Sequence, residues 1–161
     1  LVAVVMVFTF FGMVNSVVGS SMYPTLHDKD IMLAYRLGYT PAQGDVVVIR
    51  KESFMEEAIV KRVIATEGQE VEINYDTNTV YVDGVAMDEP YINQEDADVM
   101  EEKQGMVYKE FTVPEGCIFV MGDNRNGSTD SRDERLGPVD EGYVLGRAVL
   151  ALWPLSKAGV L

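Results

Sequence analysis

The run Ala58-Ile59-Val60-Lys61-Arg62-Val63-Ile64-Ala65 restricts the fold of this chain more than any other stretch. β-branched residues dominate it, and their stiff side chains suit a pleated, packed surface better than a helix. With the period of two that a strand imposes, Ile59, Lys61 and Val63 share one face while Val60, Arg62 and Ile64 share the other. Each face therefore carries one cation among aliphatic side chains. Two readings fit: an edge strand whose cations snorkel to water, or an interior strand in which one lysine is buried to change its chemistry. A free lysine has a pKa of about 10.4, so fewer than about one in a thousand are neutral near pH 7. Burial lowers that pKa by as much as about 3 to 5 units. Lys61, between Ile59 and Val63, is placed for this effect, and a desolvated lysine activates serine nucleophiles.

The rest of the chain reads as further short strands separated by turn residues. Asp30 to Tyr35 is a short strand, Gly38 to Asp45 a series of turns, and Val46-Val47-Val48-Ile49 a strand buried on both faces. Ser53 to Glu57 is a polar connection. Glu70 to Tyr75 and Thr79 to Val82 alternate as a hairpin pair, with Asp83-Gly84 marking the next reversal. Phe111 to Pro114 and Cys117 to Met121 resume the apolar pattern, and Gly142 to Pro154 forms a final strand. Between them, Asp88 to Lys103 is acidic and poorly periodic, which predicts a solvated loop centred on Glu95 to Asp98 and Glu101-Glu102. At 161 residues and 47% hydrophobic, the chain holds one domain with a core, and any smaller lobe is an excursion from the main sheet. No repeat or low-complexity linker divides it.

The chain opens with an uncharged run, Leu1 to Val14. As a helix it would span roughly 21 Å, against ~30 Å for a hydrocarbon core. It is either the end of a transmembrane helix or a buried core helix, and the lack of a polar face favours the membrane. A cleaved signal peptide fits less well, because no basic segment precedes the run. A net charge of −13 argues against nucleic-acid binding, which needs clustered Lys and Arg. Cys117 is the sole cysteine, so it forms no intrachain disulfide or cysteine metal cluster and reads as a buried small hydrophobe. His27 is the sole histidine, which removes multi-histidine metal sites; neither a metal nor a cofactor is expected.

Two polar segments stand out against this β pattern. Val18-Gly19-Ser20-Ser21-Met22-Tyr23-Pro24-Thr25-Leu26 cannot continue as a helix: Pro24 lacks an amide hydrogen and restricts Tyr23, while Gly19 admits angles closed to other residues. By turn preference alone it is an ordinary loop; the functional reading is that Ser21 is presented rather than packed. Gly122-Asp123-Asn124-Arg125-Asn126-Gly127-Ser128-Thr129-Asp130-Ser131-Arg132 is a strand end entering a loop with two Asp and two Arg spaced to pair, a charge-satisfied scaffold for nearby hydroxyls.

Taken together these residues resemble the bacterial type I signal peptidases, membrane-bound Ser/Lys proteases, in their short Gram-positive-like form. Ser21-Met22-Tyr23-Pro24-Thr25 resembles the nucleophile box, Gly44 to Val48 the following strand box, Lys61-Arg62-Val63-Ile64 the general-base box, and Gly122 to Arg132 the last. The resemblance implies a mostly β fold: a twisted antiparallel body with a small β excursion, preceded by the end of a transmembrane helix. It divides the chain into part of an anchor helix at 1–14 and an extracytoplasmic catalytic domain at 15–161, with a smaller lobe inserted at about 70–110. Ser21 becomes the nucleophile and Lys61 its general base, with Ser128 hydrogen-bonding the lysine amine. Asp123 pairs with Arg62 and Asp130 with Arg132, and the Ser21 amide is an oxyanion donor. Val17 and Val60 match positions lining shallow pockets for the small residues before the cut, though plain core packing explains either valine equally well.

The chain departs from some relatives at Gly19, where a serine hydroxyl supplies a second oxyanion donor, at Ala65 and Gln69, where Gly and Asp are common, and in a longer link at Asp133 to Leu136. The implied partners are preprotein signal peptides and membrane lipid, with no nucleic acid or metal, and the implied location is the cell membrane with a single pass. The alternatives are a Ser/Lys self-cleaving repressor-type protease and an inactive anchored β-domain that binds exported peptides.

Overall fold

The computed structural model describes residues 12–92 and 99–161. Its strands are β1 (Gly12–Ser16), β2 (Ile31–Tyr35), β3 (Val46–Ile49), β4 (Ile59–Thr66), β5 (Glu70–Asn74), β6 (Thr79–Val82), β7 (Val85–Ala86), β8 (Glu110–Thr112), β9 (Cys117–Met121), β10 (Val139–Asp140), β11 (Val144–Trp153) and β12 (Gly159–Val160). Short 3₁₀ turns at Glu141–Tyr143 and Leu155–Lys157 flank β11. The protein is mostly β and every strand pair is antiparallel.

The large sheet runs β1-β2-β11-β3-β4-β9-β10, with β12 pairing the second half of β11. A smaller sheet, β7-β6-β5-β8, is built from Glu70–Thr112. At its tip Asp83 and Gly84 both take positive φ (52° and 75°), the geometry of a tight hairpin reversal between β6 and β7. The alternation read into β4 is observed from Ile59 to Val63; a register shift between Val63 and Ala65 then brings the adjacent Ile64 and Ala65 to one cluster. Ile59 and Val63 pack with Val47, Ile49, Ile118 and Val120, whereas Val60 joins the cluster of Val17, Met22, Leu26 and Val46. Ile64 and Ala65 meet Phe119 and Met121 together with Val71, Ile73, Val80 and Val82 of the smaller sheet. This third cluster seats the smaller sheet on β4 and β9, the strands that bear the site.

Several expectations change at the boundaries. Gly12 to Val14, read as the end of an anchor helix, are strand residues: β1 pairs with β2 from Gly12–Tyr35 to Ser16–Ile31. An available strand partner satisfies their backbone groups and overrides the helical reading of an apolar run. Residues 1–11 lie outside the described residues, as do 93–98, which include the expected centre of the acidic loop. Among the described residues no helix is long and apolar enough to cross a membrane. Cys117 is half-buried rather than buried, packed against the cluster around Phe119.

Candidate active site

The site assembles where three segments meet: the turn after β1, the middle of β4, and the loop after β9. Val17 lies one residue past β1, fixed by Val17 N–H to Asp30 O and Lys29 N–H to Val17 O, both 2.8 Å. The chain then turns through Ser20 to Leu26, closed by Tyr23 N–H to Ser20 O and Leu26 N–H to Met22 O. Met22 and Leu26 are buried in the core and peg the turn down, leaving Ser21 half-buried above them. Lys61 projects from β4 with only 3% of its surface exposed, and its Nζ lies 2.7 Å from Ser21 Oγ.

Burial is the leading influence on Lys61 and lowers its pKa from 10.5 to about 8. The Asp130 charge opposes this, Arg132 assists it, and Asp123 opposes it again. The two carboxylates therefore limit the depression to less than the largest values seen for buried lysines. With a pKa of about 8, roughly a tenth of the amine is neutral at pH 7, about 300-fold more than for a free lysine.

Arg62, the neighbouring cation, is satisfied separately. Its Nε and Nη2 donate to Asp123 Oδ1 and Oδ2 at 2.8 and 2.7 Å, and Nη1 donates to Gly44 O at 2.8 Å. Asp130 and Arg132 form the second expected pair, both at 0% exposure, with Arg132 Nε and Nη2 donating to the two carboxylate oxygens at 2.8 and 2.9 Å. Burial pushes the Asp130 carboxyl up, but the Arg132 charge and hydrogen bonds, with the Gly122 N–H, hold it below its ordinary value. The segment Ser128 to Arg132 is brought back beside β9 by Ser131 N–H to Val120 O and Val120 N–H to Ser131 Oγ.

Ser128 does not behave as expected. It is 4% exposed and makes no hydrogen bond to the Lys61 amine; its hydroxyl instead faces Asp130, whose carboxyl it helps hold down. It is nonetheless held at the site. A Cβ built on Gly122 would fall 2.4 Å from both Ser128 Oγ and Ser21 O, so only glycine lets these two segments approach so closely. His27 lies apart from this contact, edge-on to Tyr23 and with Nδ1 3.8 Å from Asp30 Oδ2. Gly19 has φ +86° and no hydroxyl, and its N–H is taken by Asp28 Oδ1 at 2.9 Å. Val17 is buried at 4% and Val60 half-buried in the same core cluster.

Several residues in the boxes have unassigned contacts that fix the turn. Thr25 Oγ1 donates to Asp123 Oδ2. Asn124 N–H donates to Ser21 O, and its Nδ2 to Ser20 O, both at 3.1 Å. These bonds tie the Ser21 turn directly to the loop after β9. The available sequence signal was their place within the Ser-Met-Tyr-Pro-Thr and Gly-Asp-Asn-Arg strings.

A family sequence model described as signal peptidase, peptidase S26 matches residues 1–153. "Signal peptidase IB" of Staphylococcus aureus strain Mu50 is 34% identical over 156 residues, covering 86% of this chain and 76% of its own. "Signal peptidase I" of Bacillus licheniformis is 35% identical over 144 residues, covering 86% and 75%. Among solved structures, a signal peptidase I from Enterococcus faecalis V583 aligns with a TM-score of 0.53 at 30% identity, covering 68% of this chain and 97% of that one. The match spans the Ser21 turn, β4 and the loop after β9 alike, and the chain belongs to the signal peptidase family, peptidase S26.

Proposed function

We propose that this protein is a membrane-anchored serine endopeptidase that removes signal peptides from exported preproteins, with Ser21 as nucleophile and Lys61 as its general base. The observation that carries the reading is the 2.7 Å approach of an amine only 3% exposed to the Ser21 hydroxyl. In the first step neutral Lys61 takes the Ser21 proton as Oγ attacks the scissile carbonyl carbon, and the Ser21 N–H stabilises the oxyanion that forms. The tetrahedral intermediate collapses by breaking the C–N bond. Lys61 returns its proton to the departing amine of the mature chain, leaving the signal peptide esterified to Ser21. Lys61 then takes a proton from water, whose oxygen attacks the ester and releases the peptide carboxylate and the Ser21 hydroxyl.

The Arg62–Asp123 pair supports this chemistry by fixing the loop after β9 against β4, and the Asp130–Arg132 pair by bracing that loop internally. Half-buried Val60 and buried Val17 are the proposed walls of shallow pockets for small side chains before the cut. Membrane anchoring rests on the apolar run ahead of β1, with the anchor boundary now before Gly12 and the catalytic unit beyond it, its smaller lobe at about 70–110. Exposed Val14, Val18, Trp153, Leu155 and Val160 suit a position beside lipid on the extracytoplasmic face. No metal or cofactor enters the chemistry of these steps. The intact Ser21–Lys61 approach speaks against an inactive binding domain.

The test is cleavage of a preprotein with an Ala-x-Ala site. The wild-type protein is expected to cut it, and Ser21→Ala to leave it intact. Because only the neutral amine accepts a proton, kcat/KM should rise through an apparent pKa of about 8 and fall about tenfold per pH unit below it. Cleavage by folded Ser21→Ala protein would remove the mechanism.

A further inference from the structure

Outside the Ser21 and Lys61 boxes, a segment of the smaller sheet's excursion docks on the site's supporting ion pairs. Glu89 is 8% exposed at its side chain and grips Arg125, itself 2% exposed, at two points: Arg125 Nη2 to Oε1 at 2.5 Å and Nη1 to Oε2 at 3.1 Å. Arg125 also donates from Nε to Gly122 O at 3.1 Å, and its own carbonyl accepts from Arg132 Nη2 at 2.6 Å. Two residues beyond Glu89, the Tyr91 ring covers the Arg62 guanidinium, with Cζ 3.9 Å from the ring centroid. The Tyr91 hydroxyl donates to Glu89 Oε1 at 3.0 Å. Glu89 and Tyr91 thus form one clasp, closing over Arg62–Asp123 on one side and Arg125–Gly122 on the other.

We propose that Tyr91, held by Glu89, is a positioning residue for the Ser21–Lys61 pair and acts through Arg62 and Asp123; this rests on the peptidase reading above. Tyr91 touches neither Ser21 nor Lys61 in the described contacts, so its influence must travel through the pair it covers. Its ring keeps water from the guanidinium face and so keeps Arg62 on Asp123. The groups acting on Lys61 are the Asp130, Arg132 and Asp123 charges, with the Ser21 hydroxyl bonded to it and Ser128 packed at Gly122. Removing the ring loosens Arg62 from Asp123, and the freed carboxylate attracts a proton to Lys61 more strongly. The neutral amine becomes scarcer at a given pH, which displaces the activity limb toward alkaline pH.

The experiment compares kcat, KM and the pH profile of kcat/KM for full-length wild type, Tyr91→Leu and Tyr91→Phe on an Ala-x-Ala preprotein. Tyr91→Leu is expected to lose roughly tenfold in kcat near pH 7 with KM held, and to move the limb up by about one pH unit. Tyr91→Phe keeps the ring over Arg62 and should stay within about threefold of wild type. An unmoved limb in Tyr91→Leu, or a Tyr91→Phe protein as impaired as Tyr91→Leu, overturns the proposal. Should Tyr91→Leu not fold, Tyr91→Met takes its place: it too removes the ring from Arg62, the same alkaline displacement is expected, and its absence overturns the proposal. Failure of the wild type to cleave would instead strike the peptidase reading, whereas an active wild type with unmoved variants strikes only the clasp.

Discussion

Lys61→Met should abolish cleavage, with kcat lower by on the order of 10⁴-fold or more, yet leave a protein that is folded and more stable than the wild type at neutral pH. Loss of activity follows from removing the only amine within reach of the Ser21 hydroxyl among the described residues. The gain in stability follows from linkage. The pKa of Lys61 is about 8 in the folded protein against 10.5 for the exposed group, so the unfolded chain binds more protons between those values. The resulting penalty is fully present below pH 8 and disappears as pH rises toward 10.5. At its full size it is about 3 kcal/mol, and methionine, of similar length and uncharged, escapes it. Urea denaturation should find Lys61→Met the more stable at pH 7, with the gap closing near pH 10.5. An inactive but destabilised variant would mean that the amine is not the strained group described here.

Asp130→Asn is the second large effect, on stability rather than directly on chemistry. Asp130 and Arg132 are both wholly buried, and the change leaves a guanidinium without its counter-charge in the interior. Breaking such a pair on one side costs about 3 to 5 kcal/mol, far more than the net worth of the pair itself. Because Arg132 also holds the Arg125 carbonyl, and Asp130 the Gly122 N–H, the loop beside Ser21 loosens as the pair fails. The pH dependence has a definite sign. The folded-state pKa of Asp130 lies below its ordinary 3.8, so its contribution is present above that value and lost as pH falls through the lower, folded one. Chemical denaturation should therefore show a large deficit for Asp130→Asn at pH 7 that narrows in strong acid.

How much of this was legible in the sequence depends on how local each cause is. The aliphatic alternation of β4 from Ile59 to Val63, the Asp83-Gly84 reversal and the Ser21 turn are set by adjacent residues, and each appears where its string predicts, whereas the irregularity between Val63 and Ala65 has no local signal. The Arg62–Asp123 and Asp130–Arg132 pairs could be matched because their members sit in recognisable boxes, although the first joins residues 61 positions apart. The Glu89–Arg125 grip and the Tyr91–Arg62 stack had no such string. Glu89-Pro90-Tyr91 reads as part of an aperiodic acidic stretch, and only the docking of the smaller sheet through Phe119 and Val80 brings it to the site. The turning of the Ser128 hydroxyl toward Asp130 rather than Lys61 was equally invisible, since it depends on the close approach of Gly122 to two segments. At the N-terminus, composition favoured helix through Val14, but the register with β2 prevailed from Gly12 onward.

The central claim is that an enclosed amine on β4 is neutral often enough at physiological pH to deprotonate Ser21. The most direct test is an NMR titration of the Lys61 side-chain nitrogen in the intact, folded protein. A midpoint of about 8, well below the 10.5 of an exposed lysine, is the predicted result. A midpoint at the exposed-lysine value would contradict it, because the Lys61 amine would then remain charged beside Ser21 throughout the working range.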